Sequence, residues 1–360
     1  MTLYAGIDLH SNNNFLVVID EQDRVRMKRK QANVLREVLT SLEPYRGPLV
    51  GIVVESTYNW YWLVDGLMEA NWRVHLAHPA GNEPYSGMKY TNDWSDAEWR
   101  AHLLRLGELK EGTIYPKAER AVRDLLRERM RLVEERSGHV ISLEGLIARV
   151  TGHKPSADEI ERLEAAELEK YGLREPLVQE AVQARLAVLE TLNEQIHRLE
   201  KQVHQHVKSN AAYERLQTVW GVGKTLSRTI LLETGPLGRF AEEGNYVSYC
   251  RMVESQRLSN GKKKGENNRK CGNRYLCWAF MEAAHFAARY YPEARTFVDR
   301  KSAGRRRVLG LKALASKLCR ASYFVMREGV EFDPKRLFGS SARSGSGSPG
   351  VGVGAVSRQA

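Results

Sequence analysis

The order of short apolar runs at the start of the chain leaves few folds open to its N-terminal part. Residues 3–8 (Leu-Tyr-Ala-Gly-Ile-Asp) and 14–20 (Asn-Phe-Leu-Val-Val-Ile-Asp) are such runs, split by His10-Ser11-Asn12-Asn13. Segments of that length, bounded by polar turn formers, read as two strands joined by a tight turn. Arg24 to Lys30 alternates as a third, more exposed strand, and a helix-like stretch follows at 32–43. Leu49 to Val54 is a continuous β-rich run suited to a buried central strand. Helical spacing returns at 57–70, and Trp72 to Ala77 is a further strand. The order β-β-β-α-β-α-β predicts a mixed α/β structure built on one sheet.

Acidic residues stand at telling places in that order. Asp8 ends one buried strand and Glu55 ends another, so both side chains can emerge at the same sheet edge. Asp93 and Asp96, in Asn92-Asp93-Trp94-Ser95-Asp96-Ala97, are three apart and share a helical face. Taken singly, each acid suits a turn, a helix cap or a solvated helix. Taken together, they would repel one another unless a cation neutralised them. Oxygen-only ligands select a hard cation, and Mg²⁺ working on phosphate is the usual case. With these positions the opening order matches the ribonuclease H or RuvC-like fold.

Beyond this region the pattern changes. From about Lys117 to Val207 it is helical and charged. Val182, Leu189, Ile196 and Val203 recur at heptad spacing, with Leu192 and Leu199 at the complementary positions. Such a seam serves an antiparallel hairpin within one chain or a coiled coil joining protomers. Gly152-His153-Lys154-Pro155-Ser156 marks a break between helices. A third region begins near Tyr213, with further helices at 274–291 and 308–328. After Phe338 the chain is Gly, Ser and Ala with scattered Arg, too poor in apolar residues to form a core. The expected divisions are 1–116, 117–210, 211–338 and a disordered tail at 339–360.

Charge points to a polyanionic partner. The formal net charge is +11, and each cation that meets a phosphate releases a condensed counterion. Ribosome-associated and membrane-surface proteins share that surplus, so the position of the cations matters more than their sum. Residues 251–276 concentrate Lys262, Lys263, Lys264, Arg269, Lys270 and Arg274 around glycines and Ser259. On the residues alone, this is a flexible loop that grips phosphate while Ser259 only hydrogen-bonds, because a serine hydroxyl is a poor nucleophile unless activated. Gly221-Val222-Gly223-Lys224-Thr225 is not a P-loop, since Thr218 stands where that motif needs its first glycine. A Gly-x-Gly turn between helices instead suits a helix–hairpin–helix, whose amides meet phosphate without sequence preference. Arg300-Lys301 and Arg305-Arg306-Arg307 add a second basic run. The four cysteines, Cys250, Cys271, Cys277 and Cys319, form no C-x-x-C pair, which argues against a zinc knuckle. Scattered thiols and no membrane-length apolar run predict a cytoplasmic protein.

Several motifs, in order and spacing, carry a resemblance. They are Gly-Ile-Asp8-Leu-His, Val-Glu55-Ser-Thr, Asn-Asp93-Trp-Ser-Asp96-Ala and Trp-Gly221-Val-Gly223, then Ser259-Asn-Gly-Lys-Lys-Lys-Gly with Lys-Cys-Gly-Asn-Arg-Tyr-Leu and Met-Glu-Ala-Ala. Across residues 3–338 the chain resembles the DEDD transposases of bacterial insertion sequences, family one hundred and ten, related to the pilin-gene invertase. The resemblance implies a RuvC-like domain, a coiled-coil insertion and a mainly helical transposase domain. It also implies that Asp8, Glu55, Asp93 and Asp96 hold Mg²⁺ and that Ser259 attacks the scissile phosphate to give a 5′-phosphoserine link. Ser255 is the fallback, because Ser259-Asn-Gly departs from the usual serine motif. Further implications are donor and target DNA chosen by a structured guide RNA, a dimer or tetramer with composite sites, and a place at the bacterial nucleoid. Two other readings compete: a purely metal-dependent nuclease or junction resolvase, and a non-catalytic nucleic-acid-binding protein.

Overall fold

The computed structural model describes residues 1–82, 92–164, 168–169, 171–265 and 271–338. Arg269, Lys270 and the expected tail at 339–360 lie outside them. The chain divides into two units, Met1–Ala121 and Val122–Ala360, so the heptad region and the C-terminal region fall within one unit.

In the first unit, β1 (Leu3–Leu9) is buried along nearly its whole length and occupies the middle of a five-stranded sheet. It pairs antiparallel with β2 (Asn13–Asp20), which pairs antiparallel with β3 (Val25–Ala32). After α1 (Leu35–Leu42), β4 (Leu49–Glu55) lies parallel to β1 on its other side. α2 (Tyr61–Glu69) leads to β5 (Val74–Ala77), parallel to β4, which gives the order β3-β2-β1-β4-β5. Two-residue alternation divides the sheet into two faces. Leu3, Ala5 and Ile7 of β1, with Leu16, Val18, Ile52 and Val54, pack against Val38, Leu42, Leu63, Val64 and Leu67 of α1 and α2. On the other face, Phe15, Val17 and Ile19 pack against Ala97 and Ala101 of α3 (Asp93–Leu106). Gly6 faces α3 so closely that a Cβ there would lie 2.0 Å from the Ala97 carbonyl oxygen. Hydrogen alone at Gly6 lets helix and sheet meet.

Both sheet edges are managed. β3 is largely exposed and carries Arg26, Lys28, Arg29 and Lys30. At the opposite edge, Gly112 donates to the Leu76 carbonyl at 2.7 Å, and Ala77 bridges to Glu111.

The second unit is helical. α4 (Lys117–Thr151), the short α5 (Ala157–Glu161) and α6 (Pro176–Val207) come first. Val182 and Leu189 pack with Val140, Leu143 and Ile147, whereas Val203 and Val207 pack with Leu126. That crossing of sequence order makes α4 and α6 antiparallel. Arg129 donates to Glu200 at 2.8 Å and Arg136 to Asn193 at 2.5 Å along the same pairing. The seam thus packs within the chain as a helical hairpin, with α4 ending before Gly152 (φ +75°) as the sequence predicts.

α7 (Ala211–Leu216), α8 (Lys224–Thr234) and α9 (Glu243–Tyr249) precede a hairpin of β6 (Arg257–Ser259) and β7 (Lys262–Gly265). α10 (Arg274–Tyr290), α11 (Pro292–Ser302), α12 (Arg307–Glu328) and α13 (Pro334–Phe338) complete the unit. Its core centres on α10, whose Ala279, Ala283, Ala284 and Ala287 leave room for close neighbours. One neighbour is Gly221, where a Cβ would come within 2.1 Å of the Ala283 carbonyl oxygen. Among the described residues, no helix is long and apolar enough to cross a membrane.

Candidate active site

The sheet's register brings Asp8 and Glu55 together. β1 and β4 run parallel with Ile7 opposite Val54, so the next residue of each strand, Asp8 and Glu55, emerges at the same end and on the face that α3 covers. α3 supplies the other two acids. Its start is fixed by a reciprocal cap: Ser95 N donates to Asn92 Oδ1 at 3.0 Å, and Asn92 N donates to Ser95 Oγ at 2.8 Å. Asp93 and Asp96 therefore lie in the first turn, where the unpaired amides favour negative charge. Trp94 packs edge-on against Phe15 with centroids 4.8 Å apart, holding that turn against β2.

Two residues given no role in the sequence reading complete the cluster. His10 Nε2 lies 3.0 Å from Asp8 Oδ2 and 3.4 Å from Asp93 Oδ1. Arg100 places Nη1 3.2 Å from Asp8 Oδ1 and Nη2 against Glu55 Oε2. Asp8 is 7% exposed. Burial pushes its carboxyl above the usual carboxylate range, Arg100 and His10 oppose that shift, and Asp96 and Glu55 reinforce it. Asp8, Glu55 and Asp93 are thus linked by direct contacts with Arg100 or His10, whereas Asp96 lies on the first turn of α3 and bears on Asp8 through its charge alone. One ligand atom each from Asp8, His10 and Asp93 lie within 4.8 Å of one another. The carboxylate oxygens fit a hard divalent cation, whose charge would relieve the strain on a buried Asp8 carboxylate, while the His10 imidazole is a borderline donor better suited to a transition-metal ion.

The serine segment belongs to the second unit, and its form corrects the sequence reading. Residues 257–265 are not a flexible loop but a two-stranded hairpin, with Ser259 opposite Lys262. Asn260 (φ +50°) and Gly261 (φ +70°) make its turn. Positive φ at both central residues is the type I′ geometry, whose twist matches paired strands. Ser259 is exposed beside the turn; Lys262 and Lys264 are exposed, and Lys263 pairs with Glu254 at 3.2 Å. Ser255 lies in the coil before β6.

The residues that flank the basic segment are held from inside the unit. Glu233 of α8 is fully buried and accepts from Arg127 Nε and Nη2 at 2.6 and 2.7 Å. Asn273 Nδ2 donates to the same carboxylate at 2.7 Å, while Asn273 Oδ1 caps α10 by accepting from the amides of Tyr275 and Leu276. Arg251 donates twice to the Gly272 carbonyl, at 3.1 and 2.9 Å, so the two ends of the segment are tied together. Sequence reasoning missed this network, because a buried Glu on an apolar helix announces itself only by the lack of a nearby partner in sequence.

The remaining residues assigned to nucleic-acid contact divide by environment. Lys224 opens α8 in an exposed position beside Gly223, where a Cβ would meet nothing within 4 Å. Gly221 has a packing reason of its own against α10. Arg274 lies over the Tyr275 ring and donates to its hydroxyl at 2.9 Å.

Comparison with known proteins gives consistent matches. Residues 213–299 match the model described as Transposase IS116/IS110/IS902 family. Residues 5–151 match a transposase model of the DEDD type of IS110 elements. A relative from Pseudomonas aeruginosa named a probable family 20 transposase is 25% identical over 293 residues, covering 79% of this chain and 83% of its own.

Proposed function

The chain belongs to the IS110 family of transposases and is an enzyme that cuts and rejoins DNA, and from that premise we propose that its reaction divides between a magnesium-binding acidic centre and a serine nucleophile. Asp8, Glu55, Asp93 and Asp96 hold the cation, with His10 beside Asp8 and Asp93. The convergence of these acids from two parallel strand ends and one capped helix turn supports this reading most. The sheet order, antiparallel over its first three strands and parallel afterwards, supports a RuvC-like frame. When bound, the divalent cation supplies a Lewis acid for charge building on phosphate oxygens.

Ser259 supplies the nucleophile. As the bond from its Oγ to phosphorus forms, the bond to the 3′-oxygen breaks; the hydroxyl gives up its proton and the 3′-oxygen takes one up. The 5′ end is left as a phosphoserine, which a 3′-hydroxyl from the exchanged strand then attacks to reseal DNA and free the serine. Exchange of strands in this way passes through a Holliday-junction-like intermediate. Its support is the placement of Ser259 on an exposed, turn-fixed tip among Lys262 and Lys264, whose charge favours a developing alkoxide and phosphate anion. Lys224, Lys263, Arg269, Lys270 and Arg274 grip the DNA backbone. Choice of donor and target by a guide RNA, action at the nucleoid, and a dimer or tetramer in which one subunit's acids complete another's serine site follow the family resemblance of the motifs.

The test is end-labelled DNA incubated with Mg²⁺ and protein, resolved under denaturing conditions. The full chain leaves protein attached to the 5′-phosphate end, and Ser259→Ala abolishes both the adduct and cleavage while Ser255→Ala retains them. Cleavage that persists in Ser259→Ala makes the acidic centre a self-sufficient nuclease.

A further inference from the structure

Acids gathered where two strand ends meet the start of a helix need positive charge beside them to remain ionised together. The fold supplies one from its own sequence. Arg100 stands four residues after Asp96 and seven after Asp93, on the face of α3 that carries both. Its side chain is only 11% exposed. Its guanidinium is shared between two strands, with Nη1 near Asp8 and Nη2 on Glu55, rather than seated on one carboxylate. The Nη1 contact is an ion pair without hydrogen-bond alignment, and Nη1 is buried with no other partner. A guanidinium stays charged at any pH the protein survives, so protonation cannot switch this grip off. A competing cation can.

Resting on the reading that the acidic centre binds a divalent cation, we propose that Arg100 is its resident counter-cation: it offsets part of the charge of Asp8 and Glu55 before the metal arrives and gives up those oxygens when it does. Two consequences follow. The metal-free domain does not have to fold around unpaired buried acids, and the affinity for free metal is set low by a competitor built into α3. A guanidinium that merely braces the two acids for the metal makes the opposite prediction for its removal.

The experiment measures Mn²⁺ binding to the full chain by loss of the free-ion paramagnetic resonance signal, together with thermal unfolding in EDTA. Arg100→Met keeps the length of the side chain and removes its charge. It is expected to bind Mn²⁺ about tenfold more tightly than the unaltered chain, to unfold at lower temperature in EDTA, and to recover when Mn²⁺ is added. Arg100→Lys retains the charge and stays close to the unaltered chain in EDTA. Adding Glu55→Gln to Arg100→Met removes one charge of each sign and restores EDTA stability, which keeps the test available if the single variant folds only with metal. Mn²⁺ binding that is lost in Asp8→Asn yet unchanged or weakened in Arg100→Met overturns the competition and leaves the metal site standing. Mn²⁺ bound by neither the unaltered chain nor Arg100→Met, or bound equally by Asp8→Asn, removes the metal reading and the competition together.

Discussion

Replacing Gly6 by alanine tests whether the acidic centre depends on the closeness of α3 to the sheet. The added Cβ would sit 2.0 Å from the Ala97 carbonyl oxygen and 2.9 Å from the Ala101 amide nitrogen. Both are backbone atoms of a helix, so no side-chain rotation relieves the clash. Contacts below 3.0 Å are essentially never tolerated, which requires α3 to retreat by about 1 Å. Overpacking of this kind costs about 1–3 kcal/mol, and a backbone clash belongs at the upper end. The same retreat draws Asp93, Asp96 and Arg100 away from Asp8 and Glu55, and an error of about 1 Å in a reacting geometry costs on the order of 100-fold in rate. Urea unfolding and Mg²⁺-dependent cleavage of labelled DNA measure the two effects. Gly47→Ala is the control, since a Cβ there meets nothing within 4 Å, and its stability should stay within about 0.5 kcal/mol. If Gly6→Ala unfolds like that control and cleaves within about threefold of the unaltered chain, the close approach of α3 does not set the site.

Three other outcomes are expected. Asp8→Asn should lower cleavage by at least about 1000-fold, with metal-free stability within about 1 kcal/mol by urea unfolding, because a neutral amide escapes the burial and repulsion that burden the carboxylate. Glu233→Ala leaves Arg127 and Asn273 without their shared acceptor and should cost about 3 kcal/mol; a loss below about 1 kcal/mol in chemical unfolding would show that the network carries little. Gly261→Val puts a β-branched residue at φ +70°, a local strain of about 1–2 kcal/mol. No atom lies within 4 Å of that Cβ, so the strain stays local to the turn: the melting temperature should fall by no more than about 2–6 °C while strand cleavage drops at least about tenfold.

The strands were legible because buried segments must be apolar and their bounds polar. Asp8 and Glu55 broke two such runs at their ends, and parallel pairing turned that similarity into proximity. Asp93 and Asp96 needed only helical spacing. Arg100 was illegible for a physical reason: a cation one and two turns beyond two acids on a charged helix looks solvated until a sheet is laid over that face. His10 was hidden as a turn residue. The heptad seam showed which face of α6 would be buried but not its partner, since periodicity describes one surface and the facing residues of α4 lie far away in sequence. The serine hairpin went unread although Asn260-Gly261 is a strong turn signal. Its second strand is a run of Lys, and Leu258, Ser259 and Lys262 to Lys264 are all exposed, so the alternation that marks a strand was missing.

The treatment of the sheet's rims bears on how this enzyme behaves when crowded. An open β-sheet offers unpaired amides and carbonyls at each border, and borders of that kind recruit strands from other molecules. Here one border is a row of cations on β3, with Lys28 held to Glu98 at 3.0 Å and Lys30 poised over the Phe15 ring. The other is only four residues long and is closed by hydrogen bonds from the segment near Gly112. Copies concentrated on one stretch of DNA would meet charge rather than a free template, and the sheet can be crowded without being copied into an aggregate.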